Sequence, residues 1–174
     1  MNNHDQDPIY IIIMDTIQKL VLGYGNVDRQ DDGVAWYVMI HTAKHLKMQI
    51  PKNPEEEFIH TKNYKFIFLP HLVPEIAETI SEYDQVCFID AHTGNIPFDL
   101  FFSTINKEFH KSPFTHHMTP ETCLYLANTI YNGSTIGTLL SIRGYQFNFS
   151  RQLSRKTTRS ANKAVEKLLE WLKV

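Results

Sequence analysis

Cysteine is scarce in this sequence: Cys87 and Cys123 are the two present in 174 residues. Two thiols do not make the disulfide framework of a small secreted domain. Both lie in apolar runs and read as small buried residues, which suits a reducing, cytoplasmic setting. An excess of one charge is also missing. Seventeen Lys and Arg against nineteen Asp and Glu leave a formal charge of -2. Nucleic-acid domains usually carry a basic stripe, so no nucleic-acid partner is expected. Long hydrophobic runs are absent as well. Residues 9–14 form an apolar stretch, far below the roughly 20 residues that span a bilayer. That stretch lacks the basic flank and cleavage site of a secretory signal. No membrane association is expected.

Several signatures are missing too. Residues 20–36 read LVLGYGNVDRQDDGVAW, an apolar run meeting two glycines and then an acidic pair. The Gly23-Tyr24-Gly25 turn is not a dinucleotide fingerprint, because Asp28 stands where the third glycine belongs. It is not a P-loop either, having no Gly-Lys-Ser/Thr. Asp31 and Asp32 would repel a phosphate at a helix start. There is no Gly-x-Ser-x-Gly elbow, and neither cysteine has the context of a nucleophile.

What is there suits a globular domain. At 43% hydrophobic, the chain can bury a core and falls outside the disordered class. Its length suits one domain. Residues 1–18 read as an N-terminal extension and residues 19–174 as a single α/β domain, monomeric by default.

The pattern predicts a strand over residues 19–24 and a helix from residue 33 to 48, with Asp31 or Asp32 as N-cap. Residues 64–70 read as a strand stopped by Pro70, and 73–83 as a helix with Pro74 in its first turn. Residues 85–91, QVCFIDA, form a nearly continuous apolar run ending in a carboxylate. Such runs suit strands covered on both faces. Residues 118–133 predict a helix with Thr119 as N-cap, Pro120 at N1 and Gly133 closing its end. A strand at 134–147 and an amphipathic helix at 161–174 complete the alternation. Strand and helix in turn predict a mostly parallel sheet with helices on both faces.

In open parallel sheets, ligands bind beyond the carboxyl ends of the strands. Asp32 follows the first strand, Asp90 closes the third, and His116 and His117 precede a helix. All can meet at one end of the sheet. Two carboxylates and an imidazole suit a divalent ion, with zinc, nickel and manganese all open. Three protein ligands leave positions for water or a substrate group. His41 and His45 have i, i+4 spacing but no intervening glutamate of the metalloprotease type, and read as ordinary helix residues. The basic run Arg151, Arg155, Lys156 and Arg159 reads as a solvated loop and helix start.

These pieces together resemble the hydrogenase maturation proteases. LGYGNVDRQDDGVA resembles their opening motif, Gly-x-Gly-Asn, a spacer, then Asp-Asp/Glu-Gly/Ala. VCFIDAHTG resembles their second motif, and THHMTPETCLYLA their histidine segment before a helix. IRGYQFNFSRQLSRKT with the final helix resembles their C-terminal region. Ala35 departs from the common glycine, and the spacer VDRQ is more polar than usual. The likeness runs from residue 19 to residue 172, with the segments in family order.

The resemblance implies a twisted, mostly parallel five-stranded sheet in a three-layer α/β fold. It implies an endopeptidase that removes a C-terminal extension from a nickel–iron hydrogenase large-subunit precursor after nickel insertion. The substrate carries the nickel, and no organic cofactor is implied. The family's metal-binding and catalytic positions fall on Asp32, Asp90 and His116, with the adjacent His117 as the second choice. Gly23, Gly25 and Asn26 fall in the loop that would meet the substrate tail. The alternatives are a non-catalytic protein that captures metal or a partner tail, and a metallopeptidase with its own zinc. A nucleotide-binding protein is disfavoured by the acidic loop.

Overall fold

The structure, a computed structural model, describes residues 17–58, 61, 63–105 and 118–173. Its sheet has five strands in the order β2-β1-β3-β5-β4. The strands are β1 (Lys19–Tyr24), β2 (Tyr64–Leu69), β3 (Gln85–His92), β4 (Leu100–Thr104) and β5 (Ile136–Arg143). The first three and β5 run parallel, and β4 pairs antiparallel with β5. The helices are α1 (Val34–His45), α2 (Ile76–Ser81), α3 (Pro120–Ile130) and α4 (Arg155–Lys173).

Period-two alternation divides the interior strands between two cores. Val21, Cys87 and Ile89 face α1 and α4, packing with Val38, Met39, Ala161 and Leu168. Leu20, Leu22, Val86 and Phe88 face α2 and α3, packing with Ile80, Cys123 and Leu124. Apolar side chains on both faces explain why these strands read as continuous hydrophobic runs. The expected architecture of a mostly parallel five-stranded sheet covered on both faces is the one observed. The antiparallel edge strand β4 has no clear signal in the sequence; its residues Phe102, Ser103 and Thr104 are exposed.

At the far end of β1, Lys19 is buried, and its Nζ donates to the Trp171 carbonyl at 2.8 Å and the Leu172 carbonyl at 3.4 Å. A cation on the last carbonyls of α4 answers the negative end of that helix dipole. Burial lowers the Lys19 pKa. Cys87 and Cys123 are buried free thiols, as expected.

From β1 the chain crosses to β2 on one side, and from β2 it returns to β3 on the other. The connection therefore reverses direction between β1 and β3, and a crevice opens there at the carboxyl ends.

Candidate functional site

β1 and β3 stay in register up to Gly23 and Ile89. Beyond that pair the strands part, and the next side chains are Tyr24 and Asp90. The Tyr24 hydroxyl bridges the gap, donating to Asp90 Oδ2 at 2.8 Å. Asp90 Oδ1 is buried. Ser141 stands opposite Asp90 in the β3–β5 register, and its buried hydroxyl is a second neighbour of the Asp90 carboxylate.

Burial raises the Asp90 pKa. The neighbouring Ser141 and Tyr24 hydroxyls act against that rise, while the charges of Glu121 and Asp32 add to it. Glu121 sits in the first turn of α3. Asp32 lies in the 3-10 turn Gln30–Gly33 that leads into α1. The charges of both carboxylates therefore reach Asp90. Burial, then Asp90, pushes the Tyr24 phenol well above its ordinary range, so it remains a donor.

The loop from Gly23 to Gly33 is folded on itself. Gly23 lies so close to Met39 Sδ and Ala35 Cβ that a side chain would collide with α1. Gly25 has φ +139°, and a Cβ there would strike the Asp32 carbonyl oxygen. Only glycine takes both constraints without strain. The Asn26 amide donates to Asp32 Oδ2 at 3.2 Å, and the Asn26 side chain accepts from the Asp28 amide at 2.9 Å. The glycines and Asn26 therefore fix where the Asp32 carboxylate sits.

The expected N-cap role of Asp31 or Asp32 is not observed. Gly33 occupies the N-cap of α1, with no side-chain cap. Asp31 is fully buried and is drawn off by a distant segment. It accepts from the Tyr145 and Gln146 amides at 2.8 and 2.9 Å. It also accepts from the Ser154 amide and hydroxyl, both at 2.7 Å. Desolvation works against its charge, but the Ser154 and Tyr145 amides outweigh it and hold the pKa low. The backbone joins the same two segments: Gln30 donates to Ser150, Ser150 to Asp28, and Asp31 to Gln146. Arg151 adds an ion pair to Asp28 at 2.6 Å. Asp31 is thus the clamp of this loop, and Asp32, held by the Asn26 amide, is near enough for its charge to act on Asp90.

His116 and His117 lie outside the described residues. Met118 and Thr119 resume the chain at the start of α3. Thr119 caps that helix as expected, its hydroxyl accepting from the Thr122 amide at 3.3 Å, with Pro120 following. At its other end Asn132, not Gly133, takes the left-handed conformation (φ 54°). Among the described residues, no group of three or more His, Cys, Asp or Glu is placed to hold a metal ion. His41 stacks on the Tyr37 ring at 4.1 Å, consistent with an ordinary helix residue. Two open clefts of about 560 and 650 Å³ flank the zip between the opening loop and residues 145–156, and neither is lined by Asp32 or Asp90.

The donor set present is oxygen: two carboxylates, those of Asp32 and Asp90. Such a set suits a divalent cation and is completed well by an imidazole. Neither cysteine can take the place of a nucleophile. Burial pushes the Cys123 thiol up to about 12, and Cys87 higher still.

The same arrangement of elements occurs in solved structures. HybD, the hydrogenase-maturating endopeptidase from E. coli, superposes with a TM-score of 0.61 at 14% identity, over 90% of this chain and 93% of HybD. The [NiFe] hydrogenase maturation protease HycI from Thermococcus kodakarensis gives a TM-score of 0.61 at 18% identity, over 92% and 96% of the two chains. The chain has the hydrogenase maturation protease fold. A third such structure, the hydrogenase 2 maturation peptidase from Thaumarchaeota archaeon SCGC_AB-539-E09, matches at 20% identity and a TM-score of 0.58, over 90% and 98% of the chains. An uncharacterized protein from Wolinella succinogenes shares the fold at 20% identity and a TM-score of 0.54. No protein-family model and no curated protein sequence matches the chain. Within this fold the crevice between β1 and β3 is where Tyr24 meets Asp90.

Sequence reasoning missed Tyr24, Ser141 and Glu121. Tyr24 was hidden between two glycines that drew attention to the backbone. Ser141 becomes visible only once β3 and β5 are paired. Glu121 follows a cap and reads locally as a helix-start acid.

Proposed function

We propose that this protein is an endopeptidase that trims a C-terminal extension from the large-subunit precursor of a nickel–iron hydrogenase. The observation that carries the reading is the Asp90 carboxylate at the sheet's switch point, held by the Tyr24 hydroxyl at 2.8 Å and within reach of the Asp32 charge. Proteins of the same fold named as hydrogenase maturation proteases support it.

On this reading the metal arrives with the substrate. Asp32, Asp90 and His116, with His117 as the neighbouring choice, engage nickel held mainly by the precursor's own thiolates. Bound nickel supplies Lewis acidity and a fixed point of attachment. The chain's own residues then act by placement. The Asn26 amide holds Asp32, the Tyr24 hydroxyl holds Asp90, and the loop Gly23, Gly25 and Asn26 receives the tail. Docking at fixed points converts the encounter into an intramolecular arrangement of scissile peptide and water, which is worth many orders of magnitude in rate. Hydrolysis adds one water across the peptide, giving a new carboxyl terminus and a released peptide amine. The setting is cytoplasmic, and the enzyme is a monomer meeting its partner transiently.

The test is the mass of the precursor subunit after incubation with the protein, with and without nickel. Loss of the tail only from nickel-loaded precursor supports the reading. Asp90→Ala should abolish trimming while remaining folded. Intact precursor with wild-type protein would leave a non-catalytic captor of metal or tail. Stoichiometric zinc in untreated protein would point instead to a resident-metal peptidase.

A further inference from the structure

Phe149 is 91% exposed, the barest large apolar side chain among the described residues. A lone apolar side chain on a surface is ordinary, but this one is held out on a fixed base. Arg29 and Ser150 form a parallel bridge. The Gln30 amide donates to the Ser150 carbonyl at 2.7 Å, and the Ser150 amide to the Asp28 carbonyl at 3.0 Å. On the other side, the Asn148 amide donates to Gln30 Oε1 at 3.3 Å. Both neighbours of Phe149 are therefore tied to the opening loop. An aromatic ring ordered in advance costs less entropy to bind, and buried aromatic anchors dominate the energetics of protein interfaces. We propose that Phe149 is the anchor by which this protein docks the folded body of the precursor, entering an apolar socket ringed by acidic residues on the precursor's surface. The inference rests on the function reading above and adds to it the surface that meets the partner.

Charge selects the occupant. Gln146 and Ser150 line the cleft of about 650 Å³ beside Phe149, together with Arg155 and Lys156. Among the described residues, no carboxylate lines that cleft. Arg29, Arg155 and Lys156 are exposed. Asp28 is matched by Arg151 at 2.6 Å, so that pair adds no net charge, and Arg151 also feels Glu55. On a chain of formal charge -2, this face is locally positive. A second copy of the chain would set cation against cation. A bilayer surface is flat and cannot fill the cleft beside the ring, whereas protein side chains can. An acidic protein surface answers both the shape and the charge. Docking here sets the precursor's body against residues 28–30, a short step along the chain from the loop that receives the tail.

Phe149→Ser and the double variant Arg155→Glu, Lys156→Glu are compared with wild type by trimming kinetics on nickel-loaded precursor at low and high salt. Melting temperature serves as the control for folding. Truncating a hot-spot aromatic costs roughly thirtyfold or more in affinity. Phe149→Ser should raise KM by that order, keep kcat, and melt with wild type. The double variant should raise KM most at low salt, where exposed charges act furthest. A KM for Phe149→Ser within about threefold of wild type would overturn the proposal. So would a wild-type dimer in sedimentation that Phe149→Ser converts to monomer, or wild-type binding to phosphatidylserine vesicles that Phe149→Ser abolishes, since each gives the face to another occupant. Wild-type protein that leaves the precursor untrimmed would instead remove the function reading itself and this proposal with it, so the two failures are distinct.

Discussion

Asp31 and Asp90 show how one residue type is turned to opposite uses. Asp31 is surrounded by donors and stays charged below its ordinary pKa. Its folded pKa lies below the unfolded one, so it contributes stability at pH values above about 4, lost as pH falls through the folded value. Asp31→Ala would leave the Tyr145, Gln146 and Ser154 amides without their acceptor. Unsatisfied buried donors cost about 1–3 kcal/mol each, so chemical denaturation at pH 7 should show a loss of about 3 kcal/mol. Asp31→Asn should also be less stable at pH 7, with a flatter decline below pH 4. Asp90 is the reverse case. Its folded pKa is raised, so its ionisation is disfavoured by the fold. The cost is absent in strong acid and grows as pH rises through the folded pKa. Asp90→Asn should therefore be no less stable than wild type at pH 7 while losing trimming activity, as expected where function opposes stability. A melting temperature below wild type would contradict this.

Among the elements, the opening loop does the most. Gly25→Ala places a side chain at φ +139° against the Asp32 carbonyl. Strain of about 1–3 kcal/mol is expected for such a backbone. Relief of that strain must displace Asp32, so trimming should fall more than the melting temperature suggests. The loop was partly legible in the sequence. Two glycines and an acidic pair after an apolar run mark a sharp turn at a strand end. The partner of Asp31 was not legible, because its donors lie 114 to 123 residues away. A local pattern offers only the nearby helix, so capping was the expectation, and a distant loop won the carboxylate. Thr119 was read correctly because its acceptor role is satisfied three residues on, at Thr122.

For the whole molecule, topology places the chemistry. The order β2-β1-β3-β5-β4 puts the reversal between the strands that carry Tyr24 and Asp90. Alternation of apolar strands and helices was enough to expect a mostly parallel sheet covered on both faces, while its five strands followed only from the family resemblance. The edge strand β4 was missed because exposure on its outer positions leaves no alternating apolar signal. Asp90 was legible because a carboxylate at the end of a buried strand demands a purpose. Lys19 ties β1 to the carbonyls at the end of α4. Lys19→Ala should lower stability by about 1–3 kcal/mol, since two carbonyl bonds to a charged donor are lost. Trimming by the folded fraction should be unchanged, because Lys19 sits at the opposite end of the strand from Tyr24.

The most direct measurement is mass spectrometry of a nickel-loaded large-subunit precursor after incubation with wild-type protein, with Asp90→Ala, and with wild type after nickel is withheld. The account predicts a shortened subunit and a released C-terminal peptide in the first sample alone. Equal shortening by Asp90→Ala, or equal shortening without nickel, would contradict it.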